Sequence, residues 1–336
     1  MSRRVTLRNK QKGHKKTMRI SRFKKKGGER RVSPTQLAKM VRVTSLEKAR
    51  KGFTDLRRRE CREEELAGLA RVGLPALDHF FLAQRLKART RKGLSFWEAM
   101  NDPAEVRKLR GVVRRWGRDK KGGKGTSETT RLYYAFQLWY GTINQFRPAF
   151  AKWVYCSLGT RRGVLDFSAG WGGRCLAAMA MGVPYYGFDA NQELRGGYSR
   201  MVRALGDEGP GSDGSGDERV TMTFGPSEDV DFSKYRGKYD LVFTSPPYFT
   251  IEQYRGMPRY GSREGFLEKF FRPVVRGVWA NLVRGGRMAL NMPEEMYETI
   301  RGYLPKIETT MRMPIQSRTG ASGGEGASEL VYVWLK

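Results

Sequence analysis

The second half of the chain alternates short apolar runs with amphipathic segments. Five runs of four or five residues are bounded by Gly, Pro or Asp, a pattern typical of buried strands. The predicted strands are Val164–Phe167, Tyr185–Phe188, Val220–Thr223, Leu241–Thr244 and Arg287–Asn291. Helical spacing separates most of these runs, which favours an α/β fold with a doubly wound, mostly parallel sheet. We expect a late strand, Glu329–Trp334, to pair antiparallel at the sheet edge.

The region before these strands has helical spacing instead. Ser33 precedes Pro34, and Gln36 completes a capping box, so we expect a helix from there to about Ala49. Similar start signals at Ser95 and Asp102 precede apolar residues three and four positions apart. Two further helices are predicted over 131–140 and 148–158, directly before the first strand.

Composition divides the chain into three parts. Residues 1–31 contain 14 Lys and Arg with one acidic residue, too little apolar surface to offset the entropy of ordering. We therefore expect a disordered basic tail over 1–32, a basic helical module over 33–126 and a catalytic domain over 127–336. Loops rich in Gly are expected over 117–127 and 206–216.

The net charge of +30 is concentrated at one end of the chain. Residues 1–150 carry +27 and residues 151–336 carry +3. A near-neutral domain beside a strongly basic one is typical of an enzyme attached to a region that binds a polyanion, here nucleic acid. The cations of the basic module that we expect to contact phosphates are Arg85, Lys87, Arg89, Arg91, Lys92, Arg107, Lys108, Arg110, Arg114 and Arg115. The solvated faces of ordinary helices are the alternative for this module, and the basic tail is also compatible with a nuclear signal.

Other classes of protein are disfavoured by what the sequence lacks. No stretch approaches eighteen apolar residues, so we expect a soluble, intracellular protein without a membrane partner. Three separated cysteines (Cys61, Cys156, Cys175) and two histidines suit neither a disulfide framework nor a metal site. We expect buried thiols and no metal.

The first candidate functional segment follows the first predicted strand. Asp166 ends the strand, and the turn after it contains Gly170, Gly172 and Gly173. Glycines at such a turn allow the backbone to approach a ligand closely, although many turns use glycine for geometry alone. Asp189 ends the next strand, where a carboxylate can accept hydrogen bonds from both ribose hydroxyls of a nucleoside. Together these features favour a bound nucleoside cofactor.

The second candidate segment, Ser245-Pro246-Pro247-Tyr248, directly follows the predicted strand Leu241–Thr244. Ligands of open α/β sheets bind at this carboxyl edge. Consecutive prolines remove two amide donors and leave carbonyl oxygens free to accept from an amino group. The Ser245 hydroxyl can also accept, and the Tyr248 ring can stack on a planar base. The segment therefore favours binding of a base through its exocyclic amine.

From about residue 143 onward, the sequence resembles the amino-methylating DNA methyltransferases, which modify N4 of cytosine or N6 of adenine. The family's catalytic tetrapeptide is Asp, Asn or Ser, then Pro-Pro and an aromatic residue, as in Ser245–Tyr248. The resemblance implies a Rossmann-like class I methyltransferase fold and S-adenosyl-L-methionine as cofactor. The chain departs from the family at Phe167, where proline is frequent, and at Trp171, where a small residue is usual.

The resemblance also implies which residues hold the cofactor. The glycine turn would contribute Asp166, Ser168, Ala169, Gly170, Gly172 and Gly173. Asp189 would bind the ribose, and Ser227, Glu228 and Asp229 would lie beside the adenine. The methionine end would contact a helix start that carries Asn144, Phe146 and Pro148. The cofactor turn precedes the catalytic loop, as in one circularly permuted arrangement of the family.

The expected reaction is direct attack of the base amine on the methyl group, without a catalytic cysteine. A paired base hides its amino group, so the target must be flipped out or single-stranded. Tyr248, Phe249 and Tyr254 are candidates to hold the displaced base, with a core position as the alternative for Phe249. Serine at the first catalytic position favours cytosine N4 in DNA. Adenine N6 and a base in RNA are the alternatives within the enzyme class. A protein that keeps the fold and binds nucleic acid without activity is the alternative outside it.

Overall fold

Seven strands form a single mixed sheet in the computed structural model. The described residues are 31–42, 44–68, 70–116, 126–206, 218–249, 256–314 and 328–336. The strands are β1 (Val164–Asp166), β2 (Tyr185–Asp189), β3 (Val220–Phe224), β4 (Leu241–Thr244), β5 (Arg287–Asn291), β6 (Thr309–Pro314) and β7 (Ser328–Leu335). The five parallel strands predicted from apolar runs are therefore present within one or two residues of their expected bounds.

The strand order is β3-β2-β1-β4-β5-β7-β6, with β1 to β5 parallel and β7 antiparallel to both of its neighbours. This is the class I methyltransferase arrangement, and it confirms the predicted fold class. The expectation that the last strand lies at the edge is wrong, because β6 pairs along its outer side. Most side chains of β6 are exposed or half-buried, so the sequence has no apolar run there.

Helices cover both faces of the sheet and form the region before it. They are α1 (Pro34–Val41), α2 (Leu46–Arg58), α3 (Glu63–Leu66), α4 (Leu74–Lys87), α5 (Phe96–Met100), α6 (Pro103–Trp116), α7 (Glu128–Tyr140), α8 (Pro148–Ser157), α9 (Gly173–Met181), α10 (Arg195–Leu205), α11 (Arg263–Phe266), α12 (Arg272–Asn281) and α13 (Glu294–Glu298). A π-helical turn, Leu267–Phe271, joins α11 to α12. The capping boxes predicted at Ser33 and Ser95 are both present.

The single helix predicted from Pro34 to about Ala49 is instead two helices. Arg42 has extended backbone angles, and the Ser45 side chain then caps α2 by accepting from the Lys48 amide at 3.2 Å. The apolar spacing continues across this break, which explains why the sequence pattern did not reveal it.

The buried apolar residues form three clusters. One cluster lies on the sheet face covered by α8 and α9, and it also contains side chains from α2 and α4, among them Phe53 and Phe81. A second lies on the face covered by α12, and a third joins α1, α4, α6 and α7. Helices α2 and α4 therefore share an apolar cluster with the sheet, while the predicted domain boundary near residue 126 stays a prediction.

A disulfide joins Cys61, which follows α2, to Cys156 in α8, and their Cα atoms are 5.8 Å apart. The expectation that these cysteines are buried thiols is wrong for this pair and holds for Cys175. The two bonded residues are 95 positions apart in sequence, and the packing of α2 and α3 near α8 brings them together.

Three sequence expectations lie outside the described residues. They concern most of the basic tail, most of the Lys- and Gly-rich loop and most of the Gly-rich insertion, at positions 1–30, 117–125 and 207–217. None of the described helices is long and apolar enough to cross a membrane.

Candidate active site

The turn between β1 and α9 is shaped by glycines. Gly170 and Gly172 have φ angles of +59° and +78°, the left-handed region that other residues rarely adopt. A side chain on Gly173 would put its Cβ 2.1 Å from the Phe146 carbonyl oxygen. Residue 173 must therefore be glycine so that the segment before α8 can lie against the start of α9.

The Asp166 carboxylate is fully buried beneath this turn. It accepts from Arg174 Nε at 2.7 Å, from the Tyr185 hydroxyl at 2.6 Å and from the Ser168 amide at 3.2 Å. Burial lowers the pKa of Arg174, but the charge of Asp166, its hydrogen bond and the neighbouring tyrosines together raise that pKa by more, so it lies above its usual value. The Asp166 carboxylate therefore holds the turn through Ser168 and Arg174. Direct contact of Asp166 with a cofactor stays a prediction.

Asp189 lies beside the turn, at the end of β2. One carboxylate oxygen accepts from the Gly170 amide at 2.7 Å and the other from the Asn191 amide at 2.8 Å. Burial raises the pKa of Asp189 to about 6, despite these two hydrogen bonds. Each oxygen of a carboxylate has two lone pairs, so both can accept one more hydrogen bond from a ligand.

The segment after β3 contains Ser227, Glu228 and Asp229. The buried Ser227 hydroxyl donates to the Phe167 carbonyl at 2.7 Å, which ties this segment to the glycine turn. Glu228 is half-buried and accepts from the Tyr260 hydroxyl at 2.6 Å, whereas Asp229 is exposed. Only Ser227 is thus held tightly against the turn.

The segment before α8 lies on the other side of the turn. Phe146 packs edge-on against Phe243 of β4, with 5.4 Å between ring centroids, and the Arg174 guanidinium lies 4.8 Å from the Phe146 ring. Asn144 is exposed, and Pro148 is buried at the first turn of α8. The predicted start at Pro148 is therefore confirmed, and the segment before it reaches both β4 and α9.

The Ser245–Tyr248 segment follows β4 directly. Both prolines are buried, while Ser245 and Tyr248 are half-buried. Phe249 has a left-handed φ of +50°, is 5% exposed and lies beneath the Arg263 guanidinium at 4.1 Å. Phe249 therefore belongs to the core, and Tyr254, a second aromatic considered for the target base, lies outside the described residues.

The sheet brings the two candidate segments to the same edge. Val164 and Leu165 of β1 pair in parallel with Leu241 and Val242 of β4, so the residues that follow both strands lie side by side. Asp189 is the last residue of β2, which pairs in parallel with the other side of β1. The arrangement offers a carboxylate, a glycine turn and a proline loop with a half-buried serine and tyrosine, which suits a nucleoside on one side and a planar amine on the other.

The sequence did not identify the side chains that brace the glycine turn from α4 and α10. A Cβ on Gly172 would lie 2.9 Å from the Phe81 ring, and one on Gly197 would lie 2.5 Å from the same ring. Phe81 therefore fits between these two glycines, and the Tyr198 hydroxyl donates to the Gly170 carbonyl at 3.0 Å. The sequence pattern could not predict this role of Phe81, because Gly172 and Gly197 are about 90 and 115 positions away from it.

The cations predicted to contact phosphates differ in their surroundings. Arg85 is 7% exposed and bonds to Asp78 at 2.6 Å, so its expected role at the surface is wrong. Lys87, Arg89 and Arg110 pair with glutamates at 2.5 to 2.9 Å. The exposed remainder is Arg91, Lys92, Arg107, Lys108, Arg114 and Arg115. Among the described residues, no group of three His, Cys, Asp or Glu could hold a metal ion.

Solved structures with a similar fold have low sequence identity to this chain. TrmN from Thermus thermophilus is 16% identical, with a TM-score of 0.38 over 73% of this chain and 79% of that one. An rRNA methylase from Streptococcus thermophilus is 15% identical, with a TM-score of 0.36 over 58% and 100%. The glycopeptide N-methyltransferase MtfA, complexed with S-adenosyl-L-methionine, is 12% identical, with a TM-score of 0.37 over 58% and 97%. No protein-family model matches the sequence, nor does any curated protein.

Proposed function

We propose that this protein is an S-adenosyl-L-methionine-dependent methyltransferase that modifies an exocyclic amine of a nucleic acid base, with N4 of cytosine in DNA as its target. One observation carries the proposal: the glycine turn after β1 and the Ser245–Tyr248 segment after β4 share one sheet edge. A cofactor site and an amine-binding loop must be adjacent for methyl transfer, because the reacting atoms have to be in contact.

The surroundings of the glycine turn fit this cofactor. A Cβ on Gly170 would approach only the Ser168 carbonyl, at 3.8 Å, so the space beside this residue is open. The Asp189 carboxylate has acceptor capacity for two ribose hydroxyls, and Ser227 to Asp229 lie at the neighbouring strand end. When bound, S-adenosyl-L-methionine supplies an electrophilic methyl group on a positively charged sulfur.

The residues of the second segment bind and orient the amine. The Ser245 hydroxyl and the Pro246 carbonyl each accept a hydrogen bond from the amino group, which draws its lone pair out of conjugation with the ring. The half-exposed Tyr248 ring stacks on the base. Both prolines are buried, so the loop keeps its shape without rearranging, and this preorganisation provides the rate enhancement. Serine at position 245 favours cytosine by the family resemblance.

The decisive experiment identifies the methylated nucleoside. The protein is incubated with methyl-labelled cofactor and either DNA or RNA, and each nucleic acid is digested to nucleosides that are separated and identified by mass. We expect N4-methylcytosine. Detection of N6-methyladenine, or of label in RNA but not in DNA, would change the proposed target. The absence of transfer to any nucleic acid would reject the proposal.

Variants separate the two halves of the site. Ser245→Ala and Tyr248→Ala should each lose methyl transfer by about 100-fold or more while calorimetric cofactor binding is retained. Asp189→Ala should weaken cofactor binding first. Tyr303→Ala is the matched control for Tyr248→Ala, because this exposed tyrosine lies outside both segments, and it should keep full activity. Retained turnover in both loop variants would contradict the assignment.

A further inference from the structure

Helix α7 has apolar side chains on two faces. One face, with Leu132, Phe136 and Tyr140, is buried against α1 and α6. The other carries Tyr134, Leu138 and Trp139, whose exposed fractions are 42%, 49% and 45%. These are three of the five large apolar side chains that are exposed in the described part of the chain. Because the helix already has a buried face, folding does not account for the second one.

The exposed side chains form a continuous surface. Arg131, Tyr134 and Leu138 are three and four positions apart, so they lie on one side of the helix, and Trp139 adjoins them. The Tyr134 side chain also lies near the Arg42 guanidinium. We call the exposed side chains of Arg131, Tyr134, Leu138 and Trp139 the α7 aromatic face.

Cations surround the α7 aromatic face. Lys92 Nζ lies 5.9 Å from the centre of the Trp139 ring and donates to the Trp139 carbonyl at 2.5 Å. Lys108 Nζ also lies 5.9 Å from that ring, with Glu105 3.5 Å away as its counter-ion. The face belongs to the half of the chain that carries +27, so a second copy of this protein would bring like charges together.

Flat exposed rings beside cations match one chemistry, that of unpaired bases joined by phosphates. Aromatic side chains stack on bases only where those bases are unstacked, and lysine and arginine neutralise the backbone between them. Duplex DNA hides its base faces, so it cannot use these rings. We propose that the α7 aromatic face binds single-stranded DNA next to the target base, with Trp139 and Tyr134 stacking on flanking bases. This inference rests on the proposed function.

The α7 aromatic face is close along the chain to the candidate active site. Only residues 140–145 separate Trp139 from Phe146, whose carbonyl lies against the start of α9. Seven residues span at most about 24 Å, which corresponds to about seven nucleotides at the spacing of one DNA strand. A strand whose base enters the site therefore reaches the face within a few nucleotides.

The test measures DNA binding without relying on methylation. Fluorescence anisotropy with the full chain compares a labelled 20-nucleotide oligo(dT), a 20-base-pair duplex and oligo(rU). Stacking contributes about 1–3 kcal/mol per base, so Trp139→Ala and Tyr134→Ala should each raise the Kd for oligo(dT) by about 5- to 150-fold. Both should change duplex binding by less than twofold, and Trp139→Phe should retain most of the affinity.

A matched control tests whether the loss of any exposed aromatic side chain lowers the affinity for DNA. Tyr303 is 45% exposed and also has two arginines over its ring, Arg272 and Arg276, at 5.4 and 4.4 Å. Tyr303→Ala should leave oligo(dT) binding unchanged. Thermal unfolding of each variant reports whether the fold is intact, and Leu138→Ala, which removes apolar area but no ring, should have a smaller effect than Trp139→Ala.

Three results would overturn the inference: wild-type affinity in both ring variants, equal losses on duplex and single strand, or a larger loss on oligo(rU) than on oligo(dT). The last would make the face an RNA-binding surface. Failure of the proposed function is a separate result, namely no methyl transfer by the wild-type protein to any nucleic acid, whatever the binding data show.

Discussion

At the scale of single residues, the proposed role of Asp189 predicts that cofactor binding depends on pH. Burial raises its pKa to about 6, so the carboxylate is ionised at neutral pH and protonated below that value. In the proposed site, the ionised form is the one that would accept from both ribose hydroxyls. Because its pKa is raised, Asp189 of the ligand-free protein takes up a proton as the pH falls towards 6. Cofactor binding must then displace that proton.

We therefore expect cofactor affinity to be constant above about pH 7 and to fall by up to about tenfold per pH unit below about pH 6. Calorimetric titration between pH 5 and 8 measures this. Asp189→Asn should bind more weakly at pH 7.5 and show little pH dependence, because an amide does not titrate. A wild-type affinity that stays constant down to pH 5 would contradict the role of Asp189.

The residues that sequence reasoning located share one property. Gly170, Asp189 and Ser245 each directly follow a strand or lie in the turn after one, so local patterns predict both their place and their side of the sheet. Phe81 and Arg85 depend on packing between segments far apart in sequence. Composition made Arg85 a surface cation, but the fold buries it beside Asp78.

At the scale of elements, α4 braces the glycine turn. The Phe81 ring lies against Gly172 and Gly197, and Lys87 near the end of the helix pairs with Glu193 at 2.6 Å. Phe81→Ala should lower the free energy of unfolding by about 3–5 kcal/mol and also weaken cofactor binding, because the turn loses its support.

Leu86→Ala on the same helix is the matched control. Leu86 is also buried, at 1% exposed, but it belongs to the cluster formed by α1, α6 and α7. It should destabilise the fold by about 2–5 kcal/mol without changing cofactor affinity in the folded protein. Equal effects of both variants on affinity, measured by calorimetry well below their melting temperatures, would mean that α4 supports the turn only through global stability.

Strands were easier to predict than the ends of helices and the edges of the sheet. β1, β4 and most of β5 are buried on both faces, so continuous apolar runs mark them. β3 lies at the other edge of the sheet and alternates half-buried with exposed side chains. β6 is an edge strand with few buried side chains, and only pairing with β7 reveals it. The break between α1 and α2 likewise depends on the backbone at Arg42 and the cap at Ser45, which leave the apolar spacing unchanged.

At the scale of the whole molecule, the helical region and the sheet share one apolar core. Phe53 of α2 and Phe81 of α4 are in the same buried cluster as Val164 of β1 and Leu176 of α9. The Cys61–Cys156 disulfide adds a covalent link between the two regions. Because neither part can separate without exposing this cluster, residues 32–336 should unfold together.

We expect a single calorimetric unfolding transition that moves as a unit when cofactor binds. At a cofactor concentration of 100 Kd the native state gains about 2.7 kcal/mol, enough to raise the melting temperature by a few degrees. Hydrogen exchange adds a local measure: amides of α2 and α4 should be protected by the same factor as those of β1, because they open only with the core. Two transitions, of which only one responds to cofactor, would show instead that the basic helical region folds as an independent domain.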